Sequence, residues 1–173
     1  MIGKTLDGAS NFLAWVGGAA LVLMMLHITA DVTGRYLFNS PLHGTVEIVP
    51  TYYMVAAVFL PLGIVEKLNG HIVVELVSQH FPQSVQNIQI GLVGLVSAAY
   101  FGAFAYQTWG DALQKLAVRE VSLGNVAVTV WPTRFYVPIG CALITLMLVY
   151  KTVRLFRGDS SVLAHSAHTD LQE

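Results

Sequence analysis

Four stretches of the chain carry no Asp, Glu, Lys or Arg, and nearly every charge falls in the gaps between them. They run from Gly8 to Ala30, Ile48 to Val65, Leu76 to Gly110 and Phe135 to Tyr150. A helix needs roughly 20 mostly apolar residues to cross the hydrocarbon core of a bilayer. The first two runs meet that length, the third exceeds it, and the fourth reaches it through its flanking aromatic residues. Backbone N–H and C=O groups find no partners in lipid, so such runs fold as helices. The pattern predicts an all-α integral membrane protein with four transmembrane helices.

Helix one is expected over about Asn11 to Thr33, with Trp15 as an interfacial anchor. Asn39-Ser40-Pro41 reads as a turn. Helix two begins near Glu47, carries Tyr52 and Tyr53, and ends at Glu66-Lys67. Pro61 in its last third removes a backbone donor and should kink it. The piece from His71 to Pro82 is too short to span. At helical spacing, Ile72, Glu75 and Gln79 share one side while Val73, Val74, Val77 and Phe81 gather on another. That pattern suits a short amphipathic helix lying in the interface between helices two and three, with a plain connecting loop as the alternative.

Helix three should run from Val85 to about Val118. Gly94, Ala98 and Gly102 recur along it every four residues, a spacing that lets another helix backbone approach closely. The ladder reads first as packing within the bundle and otherwise as a subunit interface. A polar connection from Asp111 to Arg134 leads to helix four, which has Pro138 and Gly140 near its start. Residues 1–157 thus form one transmembrane domain, and the polar, aperiodic stretch 158–173 is a disordered tail. The first apolar segment is longer than the roughly 7–15 residues of a secretory core, so it reads as a retained helix.

Composition agrees with this plan. Hydrophobic residues make up 55% of the chain and charged residues 11%, against about a quarter charged in soluble domains. The formal net charge of −1 gives no reason to expect a nucleic-acid partner. Cys141 is the sole cysteine, so it forms no internal disulfide and reads as packing. With four spans, Lys4, Lys67, Lys151, Arg154 and Arg157 fall on one side, and Arg35, Lys115, Arg119 and Arg134 on the other. The basic cluster after helix four suits an anionic lipid surface and favours cytoplasmic termini.

Candidate chemistry is sparse. His27, Asp31 and Arg35 follow one another at i+4 steps and share one face of helix one. They read either as a proton relay or substrate pocket, or as an interfacial Asp–Arg pair with His27 hydrogen-bonded nearby. Haem held between helices needs facing histidines at membrane depth, and only His27 lies there. Neither a metal-spaced Cys/His cluster, nor a glycine-rich phosphate loop, nor a nucleophile beside a base stands out. No cofactor and no enzymatic activity are expected. The halves do not repeat as they do in many complete transporters, so the bundle reads as a membrane scaffold that assists a partner.

The chain resembles the small membrane subunit of tripartite ATP-independent periplasmic (TRAP) transporters, the DctQ-like family. The resemblance rests on Arg35-Tyr36-Leu37-Phe38 after helix one and Glu47 at the head of helix two. It continues in Gly70-His71-Ile72-Val73-Val74-Glu75 after helix two and in Pro138-Ile139-Gly140 opening helix four. The chain departs from the pattern at Gly44-Thr45-Val46, where an aromatic is common, and at Lys67, which lies earlier than the usual basic residue. The resemblance implies a small permease subunit in the bacterial inner membrane. Such a subunit packs on a large membrane subunit and helps dock a periplasmic substrate-binding protein during sodium-coupled uptake of a carboxylate-type solute. By the same analogy Arg35 and Glu47 sit together at the periplasmic end and pair, while His71 and Glu75 fix the amphipathic helix at the cytoplasmic interface. Asp31, Tyr36 and the Gly94–Ala98–Gly102 ladder are assigned structural or interface roles, and Lys115, Arg119 and Arg134 a docking surface. The readings from other classes are an anchor subunit of a redox enzyme and a self-sufficient small transporter.

Overall fold

The computed structural model describes residues 2–68, 83–124 and 126–156. The segment holding His71 and Glu75, and the tail beyond residue 157, lie outside the described residues. Helix α1 covers Ile2–Phe38. The second span is built from α2 (Thr45–Ile48), a π-helical turn (Val49–Met54), α3 (Val55–Phe59) and α4 (Leu62–Lys67). Helix α5 covers Gln83–Ala117, β1 is Val121–Leu123, β2 is Ala127–Thr129, and a 3₁₀ turn (Trp131–Phe135) leads into α6 (Tyr136–Phe156). Among the described residues four helical stretches are long and apolar enough to cross a membrane, namely Thr5–Phe38, Thr45–Lys67, Ile88–Ala117 and Trp131–Leu155.

The two outer helices overshoot a bilayer. At 1.5 Å per residue, the 37 residues of α1 extend about 55 Å and the 35 of α5 about 52 Å. The hydrocarbon core is about 30 Å thick, so both helices tilt or stand out beyond it. Helix α6 is the hub. It packs along α5 and also meets α3 and α4, while α1 packs on the second span. Accordingly 39% of its apolar window is buried, against 11% for α1 and for α5.

Prolines explain the broken second span. Pro50 lacks an N–H and sits at the start of the π-helical turn. Pro61 separates α3 from α4, and the chain restarts with Ile64 and Val65 N–H donating to the Pro61 carbonyl at 3.0 and 3.1 Å. Neighbouring glycines admit the break. A Cβ on Gly17 of α1 would lie 2.7 Å from Pro61 Cγ, and one on Gly140 of α6 would strike the Phe59 carbonyl. The kink is therefore gripped from both sides by helices whose side chains have been reduced to hydrogen.

Ala98 of the predicted ladder is buried beside Ile144 and Leu148. A Cβ on Gly94 would lie 2.6 Å from Thr152 Oγ1, and one on Gly102 would lie 3.4 Å from Thr145 Cγ2. The ladder is thus turned toward α6, within the chain. The polar connection after α5 holds a feature that helical periodicity did not foresee. It is an antiparallel hairpin with Val121 opposite Thr129, Ser122 opposite Val128 and Leu123 opposite Ala127.

Candidate functional site

The ion pairs of the described residues collect at the two ends of the bundle. At the hairpin end, the His27–Asp31–Arg35 face of α1 turns toward the second span. His27 Nδ1 lies 3.4 Å from the Tyr53 hydroxyl and Nε2 lies 3.3 Å from Thr45 Oγ1. Thr45 Oγ1 also donates to the Leu42 carbonyl at 3.3 Å, so Tyr53, His27, Thr45 and Leu42 form one hydrogen-bonded chain between α1 and the second span. Asp31 is buried. Its Oδ1 accepts from the Leu42 N–H at 2.8 Å, and its Oδ2 accepts from Arg35 Nη2 at 3.2 Å. The face therefore works as a corner brace that closes the turn between α1 and α2.

The expected Arg35–Glu47 pair is not formed. Arg35 takes the carboxylate one turn back on its own helix. Glu47 instead lies against the hairpin, close enough that a Cβ on Gly124 would strike its carboxylate. The hairpin tip also abuts the α1–α2 corner, where Gly44 (φ 88°) faces Val126. Tyr52 of the π-helical turn donates its hydroxyl to the Thr129 carbonyl.

Glu120 pins the hairpin at its base. Arg134 Nε and Nη2 each donate to its carboxylate at 3.0 Å, and Lys115 Nζ lies 3.4 Å away. The forked Arg134 hydrogen bonds, helped by the charges of Arg134 and Lys115, hold the Glu120 carboxyl below its ordinary value. Two of the three predicted docking cations are thus engaged within the chain. The third, Arg119, is exposed.

The opposite end has its own clasp. Glu66 is buried near the end of α4, and Lys151 of α6 donates to its Oε1 at 2.7 Å and to its backbone carbonyl at 3.2 Å. Lys67 Nζ lies 3.5 Å from Asp7 of α1. One turn inward, Ser10 Oγ is buried without a hydrogen-bond partner among the described residues, 2.9 Å from where a Gly63 Cβ would stand. Sequence reasoning placed Glu66, Lys67 and Lys151 on one side of the membrane. The pairing across 85 positions follows from the packing register of α4 on α6.

Tyr36 stands 88% exposed in the last turn of α1. Beside the second span, α1 forms one wall of an open apolar groove of about 1000 Å³, lined among others by Asn11, Trp15, Gly18, Val22 and Ile64. Among the described residues no group of three His, Cys, Asp or Glu side chains converges to hold a metal ion.

No curated protein and no solved structure matches the chain. The family described as "Tripartite ATP-independent periplasmic transporters, DctQ component" matches residues 24–158, a stretch that takes in the Asp31 corner, the hairpin and all of α6. Four membrane-spanning helices and this match over most of the length identify the chain as a multi-pass membrane protein of the DctQ family, the small membrane component of TRAP transporters.

Proposed function

We propose that this chain is the static scaffold of its transporter. It packs on the large membrane subunit, which moves the solute, and its hairpin end helps receive the periplasmic substrate-binding protein during sodium-coupled uptake of a carboxylate-type solute. The observation that carries the reading is where polarity sits. The two clasps, Asp31–Arg35 and Glu66–Lys151, stand near opposite ends of the bundle, and between them lie small and apolar contacts such as Ala20–Ala56–Leu60 and Ala98–Ile144–Leu148. Intramembrane ionisable groups mark ion and substrate pathways. A packed apolar middle braced at both ends instead serves rigidity. The long apolar faces of α1 and α5 supply surface for lipid and for a second membrane subunit.

Placement in the bacterial inner membrane with cytoplasmic termini agrees with Lys67, Lys151 and Arg154 at the end away from the hairpin, by the positive-inside preference. Affinity purification from native membranes tests the partnership. A large multi-spanning subunit should be recovered with the chain in constant ratio. Recovery of the chain alone, or with a redox enzyme, would refute the scaffold role.

A further inference from the structure

Two adjacent glycines of α1 have opposite surroundings. A Cβ on Gly17 would lie 2.7 Å from Pro61 Cγ, whereas one on Gly18 would meet nothing within 4 Å. Glycine weakens a helix interior relative to alanine. The close approach of Pro61 accounts for Gly17, and no neighbour among the described residues accounts for Gly18. The room over Gly18 belongs to the open apolar groove whose other wall includes Ile64 of α4.

The groove matches one lipid leaflet in depth and in polarity. Its α1 wall runs from Asn11 to Leu23, about 18 Å at 1.5 Å per residue. Half of the hydrocarbon core is about 15 Å. Trp15, 80% exposed, stands near the outer end of that wall, and tryptophan favours the level of the lipid headgroups. Asn11 lies one turn farther out. One more turn along the same face is Asp7, whose carboxylate is 3.5 Å from Lys67 Nζ. Lys67 in turn follows Ile64 by three positions on α4. An apolar slot one leaflet deep thus opens beneath an acid–base pair that is 46% exposed at Asp7 and 32% at Lys67.

A partner's transmembrane helix needs a seat across both leaflets, roughly 20 residues long. An acyl chain needs the depth of one leaflet and no hydrogen bonds. The headgroup that complements the pair carries both signs, with a phosphate to accept from Lys67 and a primary ammonium to donate to Asp7. An anionic head without an ammonium meets the Asp7 carboxylate as a like charge, and a choline head has no N–H to give it. We propose that this groove binds one phosphatidylethanolamine molecule from the leaflet away from the hairpin. Its acyl chain lies over Gly18 and its head between Asp7 and Lys67.

The test is native mass spectrometry of the complete membrane complex, titrated separately with phosphatidylethanolamine, phosphatidylcholine and phosphatidylglycerol. The unaltered complex should retain one phosphatidylethanolamine about tenfold more tightly than either other lipid, as expected for one charged hydrogen bond. Gly18→Leu fills the slot, and leucine is the better helix former, so this variant should unfold at the same temperature or higher while losing that one molecule. Asp7→Asn should keep a lipid but lose the preference for ethanolamine and accept phosphatidylglycerol. A photoreactive maleimide on Val22→Cys, in the groove wall, should capture phospholipid. Equal lipid counts for Gly18→Leu and the unaltered complex would overturn the site. A head preference unmoved by Asp7→Asn would overturn the assigned head, and the proposal with it. Capture of a second membrane subunit at Val22→Cys would show that a helix fills the groove, which also overturns it.

Discussion

Two carboxylates buried at opposite ends of the bundle, Asp31 and Glu66, are equally hidden from solvent at 6% exposure each. They are held in different ways. Asp31 is satisfied locally, by Arg35 one turn away and by the Leu42 amide 11 positions on. Glu66 is satisfied by Lys151, 85 positions away on another helix. The first braces a corner, and the second joins spans. A local brace can form as soon as α1 and its exit turn exist. The long-range clasp exists only when α4 and α6 have docked in register, so it reports on, and helps determine, the assembled bundle.

That contrast predicts unequal costs. Lys151→Ala removes the ammonium bonded to a buried carboxylate, and breaking a buried pair from one side costs about 3 kcal/mol, so it should lower the thermal midpoint most. Replacing both partners, Glu66→Gln with Lys151→Met, should restore much of the loss, because a neutral pair leaves no charge to bury. If the double variant is as unstable as the sum of the single ones, the pairing is not what holds α4 to α6.

Asp31→Ala should cost less, about 2 kcal/mol, since it leaves one part-buried amide unpaired and frees an exposed guanidinium. Hydrogen exchange should speed up at Leu42 while the packing of α4 on α6 stays protected. Loss of protection in both places would erase the local-versus-global distinction.

Acid titration probes a third carboxylate, Glu120. Its folded pKa is lowered, so its stabilising effect is fully present above the unfolded value of 4.5 and is lost as pH falls through the lowered folded value. The hairpin should therefore loosen at acidic pH before the spans separate, as seen by exchange at the Val130 and Trp131 amides that donate to the Glu120 carbonyl. Simultaneous loss of both would place the weak point elsewhere. The smallest effect belongs to Arg35→Ala. An i,i+4 pair with a largely exposed arginine contributes a few tenths of a kcal/mol, and the purified complex should keep its yield. A large loss would mean that Arg35 has a partner outside this chain.

The spans were readable because bilayer thickness and backbone hydrogen bonding leave few ways to place a charge-free run. The break at Pro61 was readable for the same elementary reason, a missing N–H. The Gly94–Ala98–Gly102 ladder announced close packing, but spacing alone does not name the helix that fills it, and the structure turns it toward α6. The hairpin left a weaker trace. Gly124-Asn125 sits between Val121 and the alternating Val126-Ala127-Val128-Thr129-Val130, a turn dipeptide between β-branched runs.

Missing the hairpin led directly to the wrong partner for Arg35. Without the hairpin, Glu47 has only Arg35 as an evident partner at that end. With it, Glu47 faces Gly124, and Arg35 falls to the carboxylate already fixed one turn away. The left-handed residue just past α5, Arg119 with φ 48°, was hidden for a different reason. An arginine carries no sequence signal for a left-handed position that glycine usually fills.

Reconstitution into liposomes tests the scaffold account most directly. Flux of labelled solute, driven by a sodium gradient and supplied with the soluble component, is compared for this chain alone, the large subunit alone, and both together. The account predicts flux only when both are present, and a Lys151→Ala chain should lower it through loss of assembled complex. Flux from this chain alone would contradict the account and make the His27–Asp31 corner part of a pathway.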